Sequence, residues 1–447
     1  MQITALLAGN VWRTIGGVAI AIVILLVMVT IHEFGHYVAG KALGFKINEF
    51  SVGFGPAIFK KRSKKTGEIF AFRVIPLGGY CAFDGEDYEE EEKEKEKQVN
   101  EPLFEEFPQT EQEVEGGEKL DEKAPIEDRI EITPSENAEE HREDSVLEKE
   151  KTEEKEKEEY PEPKGAKFND QPPWKRIIVL VAGATMNYLL ALVLIVLMFS
   201  IYGPVHSYVD YKGEGTPIVS ETEVSARDIV LSVEGKDIYF VSDYTTVLNG
   251  KKQGESVDVE ILRYNKSTET WEEKTLQITL LCDCEFENMN DLAPVYNAFG
   301  LDVTKYSFAS IANREYSGEG FFEVVGKSFV YSWKTAGIVL RSLGELITGK
   351  IGITSMGGPG TTIAATAQAA SMGMLSILNI AAFIGVNLAV FNLLPIPALD
   401  GCKVIFCIIE WIRKKPVNRK VETMIHFIGI IFLFAFAILL DVLQWVL

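Results

Sequence analysis

Two histidines and a glutamate lie close together in an apolar stretch near the N-terminus, in the sequence Ile31-His32-Glu33-Phe34-Gly35-His36. On a helix, residues four apart share a face, so His32 and His36 can point ring nitrogens at one metal ion, with Glu33 beside them. Zinc lowers the pKa of a bound water to about 7, and Glu33 as general base can then take its proton. The spacing therefore predicts the metal site of a peptidase.

The stretch that carries this motif has the composition of a membrane span. No charge occurs from Ile15 to Ile31, and a helix pairs every backbone amide within the lipid. We predict a retained span over residues 1–44, because no small-residue cleavage site follows it. Arg13 is the only charge before the uncharged stretch, whereas seven lysines and arginines lie between residues 41 and 65. The positive-inside rule then places the N-terminus outside and the motif toward the cytoplasmic side.

The net charge of -21 belongs to one segment of the 447-residue chain. Residues 84–164 contain 34 Asp and Glu and 12 Lys and Arg, a net of -22, so the rest of the chain is nearly neutral. A segment with few large apolar groups cannot offset its ordering entropy. We therefore predict a disordered acidic insert over residues 85–170, with a transient charged helix from Glu148 to Glu159. It is either a solvated spacer or a docking site for a basic partner, and no nucleic-acid partner is expected.

Two regions have β character. Residues 45–84 contain strand-like runs at 47–52 and 69–75, each followed by a glycine- and proline-containing break, and predict a small sheet at the membrane face. An edge of this sheet either pairs with an extended substrate or only buttresses the helices. Residues 204–285 contain further runs at 228–233, 257–262 and 275–280, which predict a β-rich module on the outer face.

The remaining segments alternate between apolar and polar. Residues 286–375 are predicted to be a linker with an amphipathic interfacial helix at 321–347. Three more spans are expected, and cations at the start of the second place that end inside. These segments are the second span at 171–203, the third at 376–402, a basic cytoplasmic loop at 403–423 and the fourth span at 424–447.

Two histidines leave a catalytic zinc one protein ligand short of the usual three. The third span breaks at Pro395 and Pro397, which free backbone groups that need a cavity, and Asp400 follows them directly. Asp400 is therefore the best candidate for the third ligand. Glu410 competes with it, but lies in the predicted basic loop, where we expect it to be solvated. Toward the C-terminus, Asp441 is expected to be solvated, and His426 to lie at the interface.

These motifs together resemble the site-2 protease family, in particular the bacterial RseP-type intramembrane zinc metalloproteases. The resemblance covers both ends of the chain in the same order. It rests on His32-Glu33-Phe34-Gly35-His36, Gly53-Phe54-Gly55-Pro56, Pro76-Leu77-Gly78-Gly79-Tyr80, Pro173-Trp174-Lys175-Arg176, Gly183, Asn187, Asn387, Asn392, Pro395, Pro397 and Leu399-Asp400-Gly401. The sequence departs from the family pattern at residues 225–228, where a glycine-containing turn is usual, and at Cys402, where a second glycine is common.

The resemblance implies a fold, a site and a substrate class. The fold would be a polytopic α-helical membrane protein of about four spans, with a membrane-associated β-sheet and one extracytoplasmic PDZ-like domain that filters substrates by size. It implies Zn²⁺ held by His32, His36 and Asp400, with Glu33 as base. The residues expected to contact or clamp the unwound substrate are Asn387, Asn392, Pro395 and Pro397.

The expected substrates are single-span membrane proteins, such as an anti-sigma factor, or remnant signal peptides. The expected location is the lipid bilayer of the bacterial inner membrane, with both termini extracytoplasmic. The main alternative is a non-catalytic membrane adaptor in which the metal only stabilises the bundle. Glu33 favours the protease, because a structural zinc needs no base. A metal transporter is disfavoured by the lack of an inverted repeat.

Overall fold

A computed structural model describes residues 2–86, 160–214, 223–286, 291–313, 320–353 and 357–446. Its helices are α1 (Gln2–Leu43), α2 (Pro173–Tyr202), α3 (Val241–Leu248), α4 (Ala293–Ala298), α5 (Phe321–Ile347), α6 (Pro359–Ser371), α7 (Met374–Asn392), α8 (Asp400–Arg413) and α9 (Arg419–Val446). Its strands are β1 (Ile47–Arg62), β2 (Ile69–Phe83), β3 (Val205–Tyr211), β4 (Ile229–Val233), β5 (Lys236–Asp237), β6 (Ser256–Asn265), β7 (Thr270–Thr279) and β8 (Tyr306–Ala312). Within the described residues, α1, α2, α7 and α9 are long and apolar enough to cross a membrane, which confirms the four predicted spans as helices.

Small residues bring α1, α2 and α7 into close contact at the centre of the helix bundle. A Cβ placed on Gly385 of α7 would lie 3.0 Å from the Cβ of Ala191 on α2 and 3.4 Å from the Sδ of Met28 on α1. Such residues let helix backbones approach closely where lipid supplies no hydrophobic drive for association. Ala191 and Met28 are both buried. These three helices form the framework that carries the metal motif.

The predicted β region after α1 folds into a small sheet of two long, bent strands. Glu49–Val52 of β1 is paired on both sides, since Ser51 lies opposite both Ala71 and Tyr80 of β2. The register shifts between Val52 and Ala57, at the predicted glycine-containing break. We call the end of the bundle next to this sheet the hairpin end, and the opposite end, where α2 leads into β3, the module end.

The chain that follows the acidic segment returns to the hairpin end. Phe168 is buried, with its ring centroid 5.4 Å from those of Phe45 and Phe83. Its N–H donates to the carbonyl of Asp84 at 2.7 Å. The residues before and after the acidic segment are therefore held side by side. The folded part of the protein resumes before residue 170, where the insert was predicted to end. Residues 87–159, which include the predicted charged helix, lie outside the described residues.

The module after α2 is an antiparallel sheet in the order β7-β6-β4-β3-β8, with β5 added to β4. The predicted strand runs correspond to β4, β6 and β7. The last strand, β8, pairs with β3 over its whole length, from Tyr306 opposite Tyr211 to Ala312 opposite Val205. The module therefore extends into the range predicted as linker, because β8 is recognisable only through its pairing with a strand about 100 residues earlier.

A buried ion pair closes the turn before β4. Arg227 takes φ +71°, a conformation in which glycine is usually found. Asp228 beside it accepts hydrogen bonds from Arg263 Nε at 2.8 Å, from Arg263 Nη2 at 2.7 Å and from the Ser225 amide at 2.8 Å. Because Asp228 and Arg263 are both buried, their pairing holds the turn without a glycine. The departure at residues 225–228 thus has a structural explanation.

Helix α5 covers the range predicted for the amphipathic helix, Phe321–Ile347. Its inner face packs on the module end of α2, where Tyr331 lies 5.3 Å from Phe199, ring centroid to ring centroid. Its opposite face exposes large apolar groups, including Phe322 at 87% and Trp333 at 68%. An apolar face of this kind suits a helix at a lipid surface, and the interfacial position of α5 stays a prediction.

The polar segments around the last two spans contain two helices that were not predicted. The prediction of a loop at 403–423 is wrong for residues 403–413. These residues belong to α8, which buries Cys407 and Glu410. Helix α6 lies in the predicted linker, and Asp441 of α9 accepts hydrogen bonds at its start from the amides of Gly360 at 2.9 Å and Thr361 at 3.2 Å. Asp441 is therefore a helix cap, not the solvated side chain that was expected.

Candidate metal centre

The two histidines of the motif point toward one spot from the face of α1. Their Nε2 atoms lie 3.1 Å apart, and their rings meet edge to face with centroids 4.7 Å apart. Both side chains are about nine-tenths buried, in the half of α1 nearer the hairpin end. The predicted four-residue spacing thus brings two unhindered imidazole nitrogens together, which is the arrangement that a metal ion requires.

Asp400 completes the cluster from the first residue of α8. Its Oδ2 lies 3.0 Å from His32 Nε2 and 3.4 Å from His36 Nε2. The three donor atoms all lie within 4.8 Å of one another, and no other group of three possible ligands is found among the described residues. Two imidazoles and one carboxylate are a known ligand set for catalytic zinc, and they leave a fourth position open.

The Nδ1 atoms of both rings, which face away from the cluster, have polar neighbours of the kind that orient metal-binding histidines. His36 Nδ1 donates to the carbonyl of Val179 at 2.8 Å, which fixes its tautomer with the lone pair on Nε2. His32 Nδ1 lies 3.4 Å from the side-chain amide nitrogen of Asn187, whose Oδ1 is buried and has no hydrogen-bond partner in the described part of the chain. The flipped amide would turn Oδ1 toward Nδ1–H and satisfy both atoms. In that arrangement both histidines present a free Nε2 lone pair to the site.

Two glycines allow α1 and α2 to approach at the metal centre. A Cβ on Gly183 of α2 would lie 2.4 Å from His36 Nε2 and 2.8 Å from His32 Cε1. A Cβ on Gly35 of α1 would lie 2.4 Å from the carbonyl oxygen of Ala182. Any side chain at either position would displace the imidazoles or separate the helices. The resemblance singled out Gly183, and here it provides the space for the imidazoles.

Glu33 lies between the two histidines in sequence and faces the small sheet. A Cβ on Gly79 of β2 would lie 3.2 Å from Glu33 Cγ. The sheet therefore reaches the predicted base, and glycine at position 79 makes that approach possible. Because Gly79 lies close to Glu33, the sheet forms one side of the site, which the sequence pattern alone did not establish.

Glu410, the competing ligand candidate, is engaged elsewhere. Its carboxylate is buried and pairs with Arg176 of α2 and, at 2.9 Å, with Arg419 of α9. It also accepts a hydrogen bond from the Val417 amide at 2.9 Å. The expectation that Glu410 is solvated is wrong, because α8 turns it inward against a cation from each neighbouring span. Both of its oxygens have partners here, and it does not belong to the ligand cluster found among the described residues.

The residues expected to contact substrate lie on α7 and on the segment after it. Asn387 donates to the carbonyl of Phe383 at 2.9 Å and lines a cavity of about 880 Å³ between α1, α5, α6 and α7. Asn392 is the last residue of α7, and Pro395 and Pro397 follow it. Pro397 packs against Gly429 of α9.

Sequence reasoning missed three contributors to this site. The Val179 carbonyl orients His36, but a backbone acceptor has no signature in a sequence. Gly79 was noted only as part of a break and of the motif that carries the resemblance, without a role at the metal centre. His426 was expected at the interface, whereas its Nδ1 accepts a hydrogen bond from the Ala398 amide, two residues before Asp400. A histidine within an apolar span was the one signal that could have marked it.

Comparison with known proteins gives one consistent result. The sequence model of peptidase family M50 matches residues 20–436. The regulator of sigma-W protease RasP of Bacillus subtilis is 30% identical over 441 residues, covering 95% of this chain and 96% of that protein. The zinc metalloprotease RasP of Bacillus licheniformis is 28% identical over 436 residues, which cover 94% of this chain and 95% of that protein. A putative zinc metalloprotease of Staphylococcus aureus is also 28% identical, with the same coverage.

Proposed function

The chain belongs to peptidase family M50, and from this membership we propose that it cleaves single-span membrane proteins within or beside the bilayer. It is a zinc metalloendopeptidase of the site-2 protease type and a membrane protein. The observation that carries the proposal is the convergence of His32, His36 and Asp400 within the helix bundle, with Glu33 beside them. The family match and the named relatives confirm the expected family and enzyme class.

We assign the zinc ligands to His32, His36 and Asp400, and the role of general base to Glu33. A zinc ion bound here would acidify a water molecule and polarise the scissile carbonyl. Glu33 would take one proton from that water and deliver it to the leaving amide nitrogen. The donor distances, the hydrogen bonds that orient both imidazoles and the short distance from Glu33 to the sheet support these assignments.

The position of the sheet suggests how a substrate reaches Glu33. A helical peptide bond is shielded, so the substrate must be extended before cleavage. A segment that pairs with the edge of the sheet would run past Gly79, where an added Cβ would lie 3.2 Å from Glu33 Cγ. The alternative is that the sheet only supports α1. We assign the remaining substrate contacts to Asn387, Asn392, Pro395 and Pro397, of which Asn387 lines the large cavity.

The chemical class of the substrate follows from the relatives and from the charge pattern. One relative is named as a regulator of sigma-W, which favours a membrane-tethered anti-sigma factor, with remnant signal peptides as the second possibility. Cations after α1 and at the start of α2 favour a cytoplasmic hairpin end in the inner membrane, with both termini outside. The β module would then be extracytoplasmic, where a PDZ-like domain could exclude substrates with large outer domains.

The test compares the wild type with Glu33→Gln, both purified in detergent and loaded with zinc. The isosteric variant should keep its zinc and lose cleavage of a single-span test substrate by about 10²- to 10⁴-fold. Glu323→Gln serves as the matched control, because Glu323 is exposed on α5 and its one ion pair within the described residues is with Lys327, and it should cleave normally. If the wild type binds zinc but cuts neither anti-sigma-type nor signal-peptide substrates, even without the β module, the adaptor hypothesis replaces the protease.

A further inference from the structure

The segment that delivers Asp400 to the metal centre has no regular secondary structure. Seven residues, 393–399, connect α7 to α8, and we call them the ligand loop. Ala398 within it takes φ +82°, a left-handed conformation that residues with side chains rarely adopt. It lies two residues before Asp400, so a change in its conformation would redirect the carboxylate. The ligand loop therefore needs contacts that hold Ala398 in this state.

Helix α9 supplies one such contact through His426. The Ala398 amide donates a hydrogen bond to His426 Nδ1 at 3.1 Å. Because Nδ1 accepts, the ring proton of the neutral imidazole is on Nε2, which is buried and has no hydrogen-bond partner among the described residues. Phe406 of α8 packs edge-on against the ring, with centroids 6.0 Å apart. Within the described part of the chain, the one hydrogen bond of this ring therefore goes to the ligand loop.

A second contact lies three residues further along the same helix. A Cβ on Gly429 would be 2.4 Å from Pro397 Cβ and 2.7 Å from the Pro397 carbonyl carbon. The bare backbone of α9 thus lies directly against the residue before Ala398. His426 and Gly429 share one face of α9, because residues three apart on a helix are neighbours. Together they contact two consecutive residues of the ligand loop, Pro397 and Ala398.

The other end of the loop is held without α9. A Cβ on Gly401 would lie 2.3 Å from the carbonyl oxygen of Leu394, so the first turn of α8 packs on the start of the loop. A hydrogen bond from the Leu399 amide to the Ile396 carbonyl at 3.1 Å also closes a turn around Pro397 and Ala398. These contacts fix where α8 begins, but they do not fix the orientation of the Pro397–Ala398 peptide, because turns with either orientation share this hydrogen bond. The hydrogen bond to His426 does, because it requires the Ala398 N–H to point at α9.

We propose that His426 is a positioning residue of the metal centre. By accepting the Ala398 N–H, it keeps Ala398 in the left-handed conformation and so aims Asp400 at His32 and His36. Without this acceptor, the Pro397–Ala398 peptide can flip within the turn, which gives Ala398 an ordinary negative φ, and the Asp400 carboxylate shifts relative to the imidazoles. The inference rests on the proposed ligand role of Asp400 and assigns α9 a part in metal binding that its apolar sequence does not suggest.

Three substitutions at position 426 separate the hydrogen bond from the packing of the ring. In His426→Asn the side-chain Oδ1 can take the place of Nδ1, whereas in His426→Gln the amide oxygen reaches toward the former Nε2. In His426→Ala the acceptor is absent. Ile431→Ala is the control, because Ile431 is on the same helix and 53% exposed. All variants are made in the full-length chain.

The readout is metal binding, measured by competition with a chelator and by the visible spectrum of the Co²⁺-loaded protein. His426→Ala and His426→Gln should bind Zn²⁺ about 10- to 100-fold more weakly, the range typical for partners of metal ligands, and should show an altered Co²⁺ spectrum. His426→Asn should stay within about threefold of the wild type, as should Ile431→Ala. With excess chelator, all five proteins should melt at similar temperatures.

Two results would overturn the proposal. One is wild-type Zn²⁺ affinity and Co²⁺ spectrum in His426→Ala. The other is equal loss of affinity in the Asn and Ala variants together with lower melting in chelator, which would show that only the packing of the ring matters. The measurement does not depend on cleavage, so a failure of the proposed protease activity would be seen separately. Asp400→Ala tests the ligand role itself, and it should reduce Zn²⁺ affinity more than any change at His426.

Discussion

Gly183→Ala is the sharpest test of the arrangement of the metal centre, because it adds one methyl group at a place with no room. The added Cβ would lie 2.4 Å from His36 Nε2, whereas ordinary contacts begin at 3.4 Å. Either the ring or the helix must therefore move by roughly 1 Å, a displacement that can cost about 10²-fold in a catalytic site. We expect weaker zinc binding by about 10- to 100-fold and a comparable loss of cleavage.

The loss of zinc affinity can be measured as a smaller thermal stabilisation of the protein by zinc. At free zinc 100 times the wild-type Kd, binding stabilises the wild type by about 2.7 kcal/mol. If the variant binds 100-fold more weakly, the same zinc stabilises it by only about 0.4 kcal/mol. The assay is the difference in melting temperature between zinc-loaded and chelated protein, which should be much smaller for Gly183→Ala. Comparing the chelated proteins shows separately how much the methyl group disturbs the packing of α1 on α2.

Gly337→Ala is the matched control. Gly337 lies in α5 with nothing within 4 Å of an added Cβ, so the substitution should slightly raise stability by about 0.5–1 kcal/mol through helix propensity. Zinc binding should be unchanged. If Gly183→Ala keeps wild-type zinc affinity and cleavage, the close approach of α2 to the two imidazoles is refuted.

Three further predictions address the surroundings of the site and the module. Asn187→Ala should weaken zinc binding about 10- to 100-fold in a chelator competition, because His32 loses its partner at Nδ1; unchanged affinity would contradict that role. Glu410→Gln should destabilise the fold by about 3–5 kcal/mol, measured by thermal melting, because it leaves Arg176 buried and uncompensated, and any loss of zinc affinity should accompany this lower melting temperature; loss of zinc at unchanged melting would instead make Glu410 a ligand. Burial and the nearby Lys327 lower the pKa of His206 from 6.5 to about 4, so the unfolded chain binds more protons between these values. Stability should therefore fall as pH drops from about 6.5 to about 4, by at most about 3 kcal/mol, and His206→Phe should flatten this dependence in melting curves; an unchanged slope would exclude His206 as its source.

The parts of the fold that were predictable are those whose signal lies within one segment. A span must satisfy its own backbone and carry its own apolar surface, so composition alone identifies α1, α2, α7 and α9. Helix α5 was predictable because its apolar face repeats with the helical period. Strand β8 and helix α6 depend on partners far away in sequence, and Asp441 was misjudged because the amides that it caps belong to another helix.

The same distinction applies to the metal centre. His32 and His36 are one helical turn apart, so their convergence follows from local geometry. Asp400 was a candidate because prolines precede it, but only the fold brings it to 3.0 Å from His32 across 368 residues of sequence. The roles of the Val179 carbonyl and of His426 arise from contacts between separate helices. Those contacts leave no pattern that a single sequence could reveal.

The way in which α8 is held shows why a buried ion pair matters to the metal centre. Asp400 starts the helix and Glu410 lies ten residues later, which is about 15 Å along the axis. Arg176 belongs to α2, the helix that also contacts the histidines through Val179 and Gly183. Arg419 belongs to α9, the helix that contacts the ligand loop. Glu410 thus ties α8 to the two helices that fix the positions of its partners. Because a rigid helix transmits rotation along its length, a shift at Glu410 would move Asp400 relative to the imidazoles, so the ion pair and the ligand loop jointly determine where the carboxylate points.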